Sequence, residues 1–286
     1  MPEPILEALN MHKRFPGVYA LDDVSVSVSP GETLAVVGEN GAGKSTLMRI
    51  LAGAERIDGG TLSWQGEQVS FAGPAAAIAA GIAEIYQELS LVPNLSVAEN
   101  IFLGHEPLRP GGFIDYSAMA AGARDVLATL GVAGAERGNE PVENLSVAAR
   151  QMVEIAKAVT RNASLLVMDE PTASLGDAEV EALFAIIRRL RQRGMSILYV
   201  SHRLEEVLEI ADRVTVMRDG TIVSTVAAAD VTVEQLIALM VGRALEPQVH
   251  LTEEVGEPLL AVRGLTGARL AEATLDVRAG EIVAVW

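Results

Sequence analysis

Nine residues fix how this chain must begin to fold. Gly38-Glu-Asn-Gly-Ala-Gly-Lys-Ser-Thr46 stands between the apolar run Thr33-Leu-Ala-Val-Val37 and the helical pattern Leu47-Met-Arg-Ile-Leu-Ala52, which Gly53 stops. Strand, glycine-rich turn and helix in that order satisfy G-x-x-x-x-G-K-[ST] in the context the motif needs. Gly38, Gly41 and Gly43 let the backbone wrap a phosphate chain and turn its N–H groups inward, with Asn40 and Ala42 between them. The helix start at Ser45 and Thr46 adds a positive dipole end at the same spot. Lys44 is placed to reach the β- and γ-phosphates and Ser45 to hold Mg²⁺. The chain has only three lysines, Lys13, Lys44 and Lys157, so its 22 basic residues are otherwise arginines. A lone point-charge ammonium at the phosphate position is a different request from a planar guanidinium. The alternative, a glycine turn with a surface lysine, accounts for none of this, and a nucleoside triphosphate is the expected ligand.

The bulk numbers exclude more than they assign. Half of the 286 residues are hydrophobic and the net charge is −16. Such a chain can bury a large core, and it lacks the basic footprint of a nucleic-acid binder. It has no cysteine, hence no disulfide framework and no thiolate metal site. The first ten residues carry two acids and no basic apolar leader, so no signal peptide is expected. The longest uncharged stretch, Gln68 to Ala83, contains Pro74 and is mostly alanine and glycine, too weak to span a bilayer.

Periodicity sets out an α/β chain. Val24-Ser-Val-Ser-Val28 alternates as a half-exposed antiparallel strand, whereas Thr33–Val37, Leu165–Met168 and Ile197–Val200 read as strands covered on both faces. Between the last two, Val180, Leu183, Phe184, Ile187 and Leu190 line one face of a helix that Asp177 is expected to cap and Gly194 to end. The arginines at 188, 189, 191 and 193 are a solvated helix end, where cations suit the dipole. Asp219-Gly220 between apolar runs predicts a hairpin. Ser96-Val-Ala-Glu99 is a capping box for a short helix ending at Gly104, and Ser117 is expected to cap another through Leu130 to Gly131. Residues 89–152 therefore form a helical insertion in an α/β core. The end of the chain repeats its beginning. Pro4-Ile-Leu-Glu matches Pro258-Leu-Leu-Ala, and Pro30-Gly-Glu-Thr-Leu-Ala-Val-Val37 matches Ala279-Gly-Glu-Ile-Val-Ala-Val-Trp286 at a shift of 249 residues. Two matches in order indicate a duplicated domain.

Further residues suit phosphoryl chemistry. Leu165-Leu-Val-Met-Asp-Glu170 puts two acids at the end of a buried strand: Asp169 to orient Mg²⁺ through water, Glu170 to polarise a water for in-line attack. Gln87 follows a short apolar strand, and His202 ends the next buried strand, near enough to sense a γ-phosphate. A lone glutamine or histidine at such a place is ordinarily structural, and neither carries a claim by itself.

Their order carries more. Phosphate loop, Gln87, Leu145-Ser146-Val147-Ala148-Ala149, Met168-Asp-Glu-Pro-Thr172 and Ser201-His202 resemble the ATP-binding domain of ABC transporters over about residues 4–245. The resemblance implies an α/β P-loop NTPase of ABC type with an antiparallel β subdomain and a helical insertion, and ATP and Mg²⁺ as cofactors. It implies that Gln87 belongs to the Q-loop and joins Ser45 and Asp169 at the metal; that Glu170, His202 and Gln87 are catalytic; and that Phe15 stacks on adenine, a role to set against plain core packing. KRFPGVYALDDVSVSV, VGENGAGKSTLMRILAG, IYQELSLVPNLSVAENIFLG, RQMVEIAKAV and LIALMVGRAL resemble the monosaccharide-importer branch, of ribose, xylose and galactose type. That branch carries two nucleotide domains in one chain. The resemblance then implies one domain over 1–248 with its helical subdomain at about 89–152, and over 249–286 a linker and the start of a second domain. It implies work at the cytoplasmic face of the inner membrane on permease subunits, indirectly with a periplasmic sugar-binding protein, and with a second ABC domain or a homodimer.

Two departures stand out. The signature LSGGQ reads Leu145 to Ala149 with both glycines replaced, by Val147 and Ala148, and an alanine methyl there is costly if its backbone needs a positive φ. The D-loop aspartate is Gly176, with Asp177 one place later. Two other readings stay open at this stage: a soluble ABC-type ATPase acting on ribosomes or DNA, which the charge disfavours, and a non-catalytic ATP-binding module, which the intact Lys44, Asp169, Glu170 and His202 disfavour.

Overall fold

The computed structural model describes residues 3–86, 90–132, 138–242, 256–267, 270–281 and 283. They fall into two compact units, 1–244 and 245–286. The first begins with a hairpin, β1 (Leu6–Phe15) against β2 (Val18–Val28), joined on the β1 side by β4 (Gly59–Trp64) and β5 (Glu67–Gln68) in an antiparallel sheet. Residues facing inward along β2, among them Val24, Val26 and Val28, are buried, while Ser25 points out, which is the expected alternation.

The second sheet holds the site. Its order is β10-β9-β3-β8-β7-β6, built from β3 (Thr33–Gly38), β6 (Ile82–Ile85), β7 (Leu165–Asp169), β8 (Ser196–Val200), β9 (Arg213–Arg218) and β10 (Thr221–Ala227). All pairs are parallel except β9 with β10, whose turn puts Asp219 and Gly220 at φ 50° and 76°. Paired register sets Val36 beside Val200 and Val200 beside Asp169, so β7 and β8 end level and β3 runs two residues further, to Gly38. Ligand-binding loops of parallel sheets gather at such carboxyl ends.

Both faces of this sheet are covered, which is why its strands read as continuous apolar runs. On one face α1 (Lys44–Leu51), α2 (Pro74–Ala80) and the antiparallel sheet pack over Leu34, Val36, Val167 and Leu198. On the other, α3 (Val97–Phe102), α4 (Tyr116–Leu130), α5 (Val147–Thr160), α6 (Asp177–Gln192), α7 (Leu204–Ile210) and α8 (Val233–Val241) cover Ala35, Val37, Met168, Ile197 and Tyr199. Among the described residues no helix is long and apolar enough to cross a membrane.

Helices α3 and α4 lie within the stretch read as a helical insertion, whereas α5 starts inside it and runs on past its end to Thr160. Ser96 and Glu99 form the expected capping box on α3. Asn100 on that helix is fully buried; its Oδ1 accepts from Val92 N, and its Nδ2 donates to the carbonyls of Val92, Leu95 and Ser96. Ser90 gives both its N–H and its hydroxyl to Glu154 on α5, at 2.7 and 2.8 Å. Two caps differ from expectation. Asp115 caps α4, accepting from Ser117 N and Ala118 N, because a carboxylate two residues earlier reaches the free amides better than a serine already inside the turn. Gly176 is the N-cap of α6 and Asp177 its first helical residue; Glu179 reaches back to accept from Gly176 N at 3.0 Å.

The second unit, by itself, is a hairpin of β11 (Pro258–Gly267) and β12 (Leu270–Arg278), its leucines 259, 260 and 265 exposed by half or more. Of residues 281–285, which match 32–36 in the repeat, only Glu281 and Val283 are among the described residues, and neither lies in a strand.

Candidate functional site

β3 delivers the chain into the glycine loop with no room to spare. A Cβ on Gly38 would overlap the Met217 carbonyl oxygen of the neighbouring strand. Gly43, at φ 100°, is the N-cap of α1, and a Cβ there would overlap the carbonyl oxygen of Ala20 on β2. The sequence spends glycine where backbone meets backbone and where φ is positive. Lys44 is buried, and its ammonium donates to Gly38 O at 2.8 Å and Glu39 O at 3.0 Å, leaving a third N–H for the cleft. Burial holds its pKa below the ordinary lysine value, and the charges of Glu170 and Asp169 partly offset that.

The loop forms one wall of a cleft of about 560 Å³ lined by Asn40, Gly41, Gly43, Lys44, Ser45 and Thr46, with Asp169 and Glu170 opposite. Asp169 ends β7. Burial first, then the neighbouring charge of Glu170, raises its pKa above the usual carboxylate value, while Lys44 opposes the shift. Glu170 sits at φ 47°, in the left-handed region that L residues avoid, with its N–H on Val200 O at 2.9 Å. That conformation aims its carboxylate away from the strand line, and Oε1 meets His202 Nδ1 at 3.2 Å. That conformation costs about 1 kcal/mol of backbone strain.

The residues at the signature position answer the question their side chains raise. Leu145 is buried, and Ser146 is the N-cap of α5, its Oγ accepting from Ala149 N at 3.2 Å. Val147, Ala148 and Ala149 form the first helical turn, and none has a positive φ. The replacement of two glycines therefore adds side chains without backbone strain; Val147 is 47% exposed.

The other expected residues divide. Gln87 lies outside the described residues. Phe15 closes the β1–β2 hairpin, paired with Val18, with the Lys13 ammonium 5.3 Å from its ring centre. The cleft itself is lined on that side by Val18, Tyr19 and Ala20. Tyr19, with the Arg14 guanidinium over its ring at 5.0 Å, is a cleft residue that sequence reasoning missed. The available signal was an aromatic near the start of an alternating strand; its place in the cleft comes from packing.

This order of elements belongs to one class. The chain is a member of the ABC transporter family, whose pattern matches residues 21–173. It is 49% identical over 294 residues to the ribose import ATP-binding protein RbsA 1 of Burkholderia cenocepacia, and 51% identical over 285 residues to that of Rubrobacter xylanophilus, covering 99% of this chain in each case. It spans about half, 56%, of the length of those relatives. Among solved structures it resembles a nucleotide-free ATP-binding cassette from an ABC transporter, at TM-score 0.71 and 26% identity over 86% of this chain and 97% of the other. The ADP conformation of another such cassette matches at TM-score 0.71 and 27% identity, covering 84% and 95%. The expected α/β fold of ABC type, with its antiparallel sheet, is thus the fold observed.

Proposed function

We propose that this chain binds and hydrolyses ATP to energise import of a sugar through partner membrane permeases. The observation that carries the reading is the convergence of Lys44, Asp169 and Glu170 on one cleft, with His202 on the Glu170 carboxylate. The glycine loop and the start of α1 hold the phosphates, and Lys44 gives its third N–H to the terminal ones. Glu170 accepts a proton from the attacking water as it approaches the γ-phosphorus, and His202 fixes the direction in which that carboxylate points.

Magnesium fits the donor set. The Ser45 hydroxyl and the Asp169 carboxylate are hard oxygen ligands, and the Lys44 ammonium offsets part of the charge of the half-buried pair Asp169–Glu170. A bound Mg²⁺ supplies charge neutralisation for the phosphates. Ser45 and Asp169 would hold it with Gln87, and few protein ligands are needed because phosphates complete the set.

The names of the relatives support import of ribose or a similar sugar. Ser146 and the start of α5 provide amides for a nucleotide bound on an opposing domain, whether a second ABC domain or another copy of this chain. In this reading the helical region contacts the permeases, and the chain works peripherally at the cytoplasmic face of the inner membrane, with a periplasmic binding protein beyond them. Residues 249–286 are then the linker and the opening of the second domain.

Cells carrying Lys44→Ala in the whole protein should lose ATP-dependent uptake of one of radiolabelled ribose, xylose or galactose. Unchanged uptake of all three, with the variant confirmed to be the only copy expressed, would refute the import reading. Stimulation of hydrolysis by RNA or DNA instead of by permease would replace it with the ribosome or DNA alternative.

A further inference from the structure

The hairpin of the second unit repeats that of the first pair by pair. β1 and β2 pair Leu6 with Val28, Glu7 with Ser27, Ala8 with Val26, Met11 with Val24 and Lys13 with Leu21. β11 and β12 pair Leu260 with Val277, Ala261 with Asp276, Val262 with Leu275, Leu265 with Ala273 and Gly267 with Leu270. Adding 254 to each β1 number and 249 to each β2 number turns the first set into the second. The register irregularity between Ala8 and Met11 falls on that between Val262 and Leu265. A one-residue slip would turn every side chain to the wrong face, so five coincident pairs across a bulge are a specific match.

Local details follow the same two offsets. Positive φ at Asn10, Asp23 and Gly31 recurs at Gly264, Glu272 and Gly280. Asn10 N donates to Ser25 Oγ at 2.9 Å, and Gly264 N to Thr274 Oγ1 at 3.2 Å. Ser29 N donates to the Glu32 carboxylate at 2.6 Å, and Arg278 N to that of Glu281 at 2.8 Å. Leu6 and Met11 are fully buried, whereas their counterparts Leu260 and Leu265 are each 53% exposed, as expected of the same face without its cover.

The two hairpins part company at one place. Beyond the Lys13–Leu21 pair the first runs on through residues 14–20, pairing Arg14 with Tyr19 and Phe15 with Val18. Beyond the equivalent Gly267–Leu270 pair only Ala268 and Arg269 remain to join the strands. The missing tip is the part of the first hairpin that reaches the site: Val18, Tyr19 and Ala20 line its cleft, and the Ala20 carbonyl lies against Gly43 of the phosphate loop. Both aromatic rings of the tip, Phe15 and Tyr19, are absent from the second hairpin, and no aromatic replaces them.

We propose that base recognition belongs to the first copy of the fold alone: its hairpin tip, residues 14–20, walls the base side of the nucleotide cleft, and the second copy is built without that wall. The two sites of the complete protein are then unequal, one reading base and phosphates, the other phosphates only. This rests on the nucleotide reading proposed above.

The test exchanges one hairpin end for the other. In the present chain residues 14–20 are replaced by Ala-Arg, the dipeptide of 268–269, and binding of ATP and of inorganic tripolyphosphate is measured with Mg²⁺. The unaltered chain should prefer ATP by about tenfold or more, the scale of a stacked base. The shortened variant should bind both within about twofold, with its tripolyphosphate affinity unchanged. Phe15→Ala with Tyr19→Ala, which keeps the backbone, should show the same loss if the shortened chain fails to fold. Retention of the ATP preference by this pair overturns the proposal. Binding of neither ligand by the unaltered chain overturns the nucleotide reading itself. In a chain carrying the whole second copy, 8-azido-ATP should label peptides of residues 13–21 and leave 256–283 unlabelled; equal labelling of both overturns the asymmetry.

Discussion

Replacing Glu170 should separate function from stability. Its carboxylate is paired with a histidine whose side chain is 60% exposed, and exposed pairs of this kind contribute at most about 1 kcal/mol. Against that stands repulsion from Asp169, whose pKa Glu170 helps to raise. At an effective dielectric near 20 such a repulsion is also about 1 kcal/mol or more. Glu170→Gln keeps the backbone and the hydrogen-bonding shape while removing the charge, so the repulsion from Asp169 is lost together with the attractions to His202 and Lys44, and Tm should stay within about 3 °C of wild type. Glu170→Gly adds release of the left-handed backbone at φ 47°, about 1 kcal/mol, and should raise Tm by about 2–4 °C. Both should bind ATP and lose at least about 10²-fold in single-turnover hydrolysis at this site, measured in a chain with both nucleotide domains. A Tm drop of more than about 5 °C in Glu170→Gln would make the residue a structural one. Single-turnover hydrolysis at the wild-type rate would remove it from the chemistry.

Gly43→Ala should weaken ATP binding by at least about tenfold and lower Tm, because its Cβ meets the Ala20 carbonyl and φ is 100°; calorimetric titration with MgATP checks it. Ala148→Gly should gain no stability and lose up to about 1 kcal/mol in denaturant unfolding, since the position is an ordinary first helical turn. Hydrogen bonds from Ser96 hold the Glu99 pKa below the usual carboxylate value, so its capping contribution is present above the unfolded-state pKa and is lost as pH falls through the folded one. Glu99→Gln should therefore flatten the acid limb of the stability curve by about 1 kcal/mol or less. A chain ending at Gly242 should match the 286-residue chain in ATP affinity and in the Tm of the first unit; a large loss on trimming would show that residues 245–286 belong to that unit.

What could be read from the sequence was whatever is local and periodic. The phosphate loop, the buried strand ending in Asp169-Glu170, the α3 capping box and the Asp219-Gly220 turn each need only a short window. So did the resemblance of the two ends of the chain, though its full extent did not, because five matched pairs and a missing tip exist only once strands are paired. Ser117 and Asp177 were expected as caps because they are good capping types near a helix start, and each is displaced by one or two places. Competition among neighbouring polar side chains is settled by backbone angles, which sequence does not show. Tyr19 escaped for another reason: it is brought to the cleft by packing of β2 on the loop. The backbone question at Ala148 was likewise a matter of φ, answered by its place in the first turn of α5.

Ser90 and Asn100 carry one more consequence. The stretch 90–96 is fastened at one end to Glu154 of α5 and along its length to Asn100 of α3. Stretching any of these hydrogen bonds takes a partner from Asn100 or Glu154, both buried, which is costly, so the stretch moves with the two helices. A pull applied at its leading end is therefore passed on whole, as a crank passes torque to its shaft.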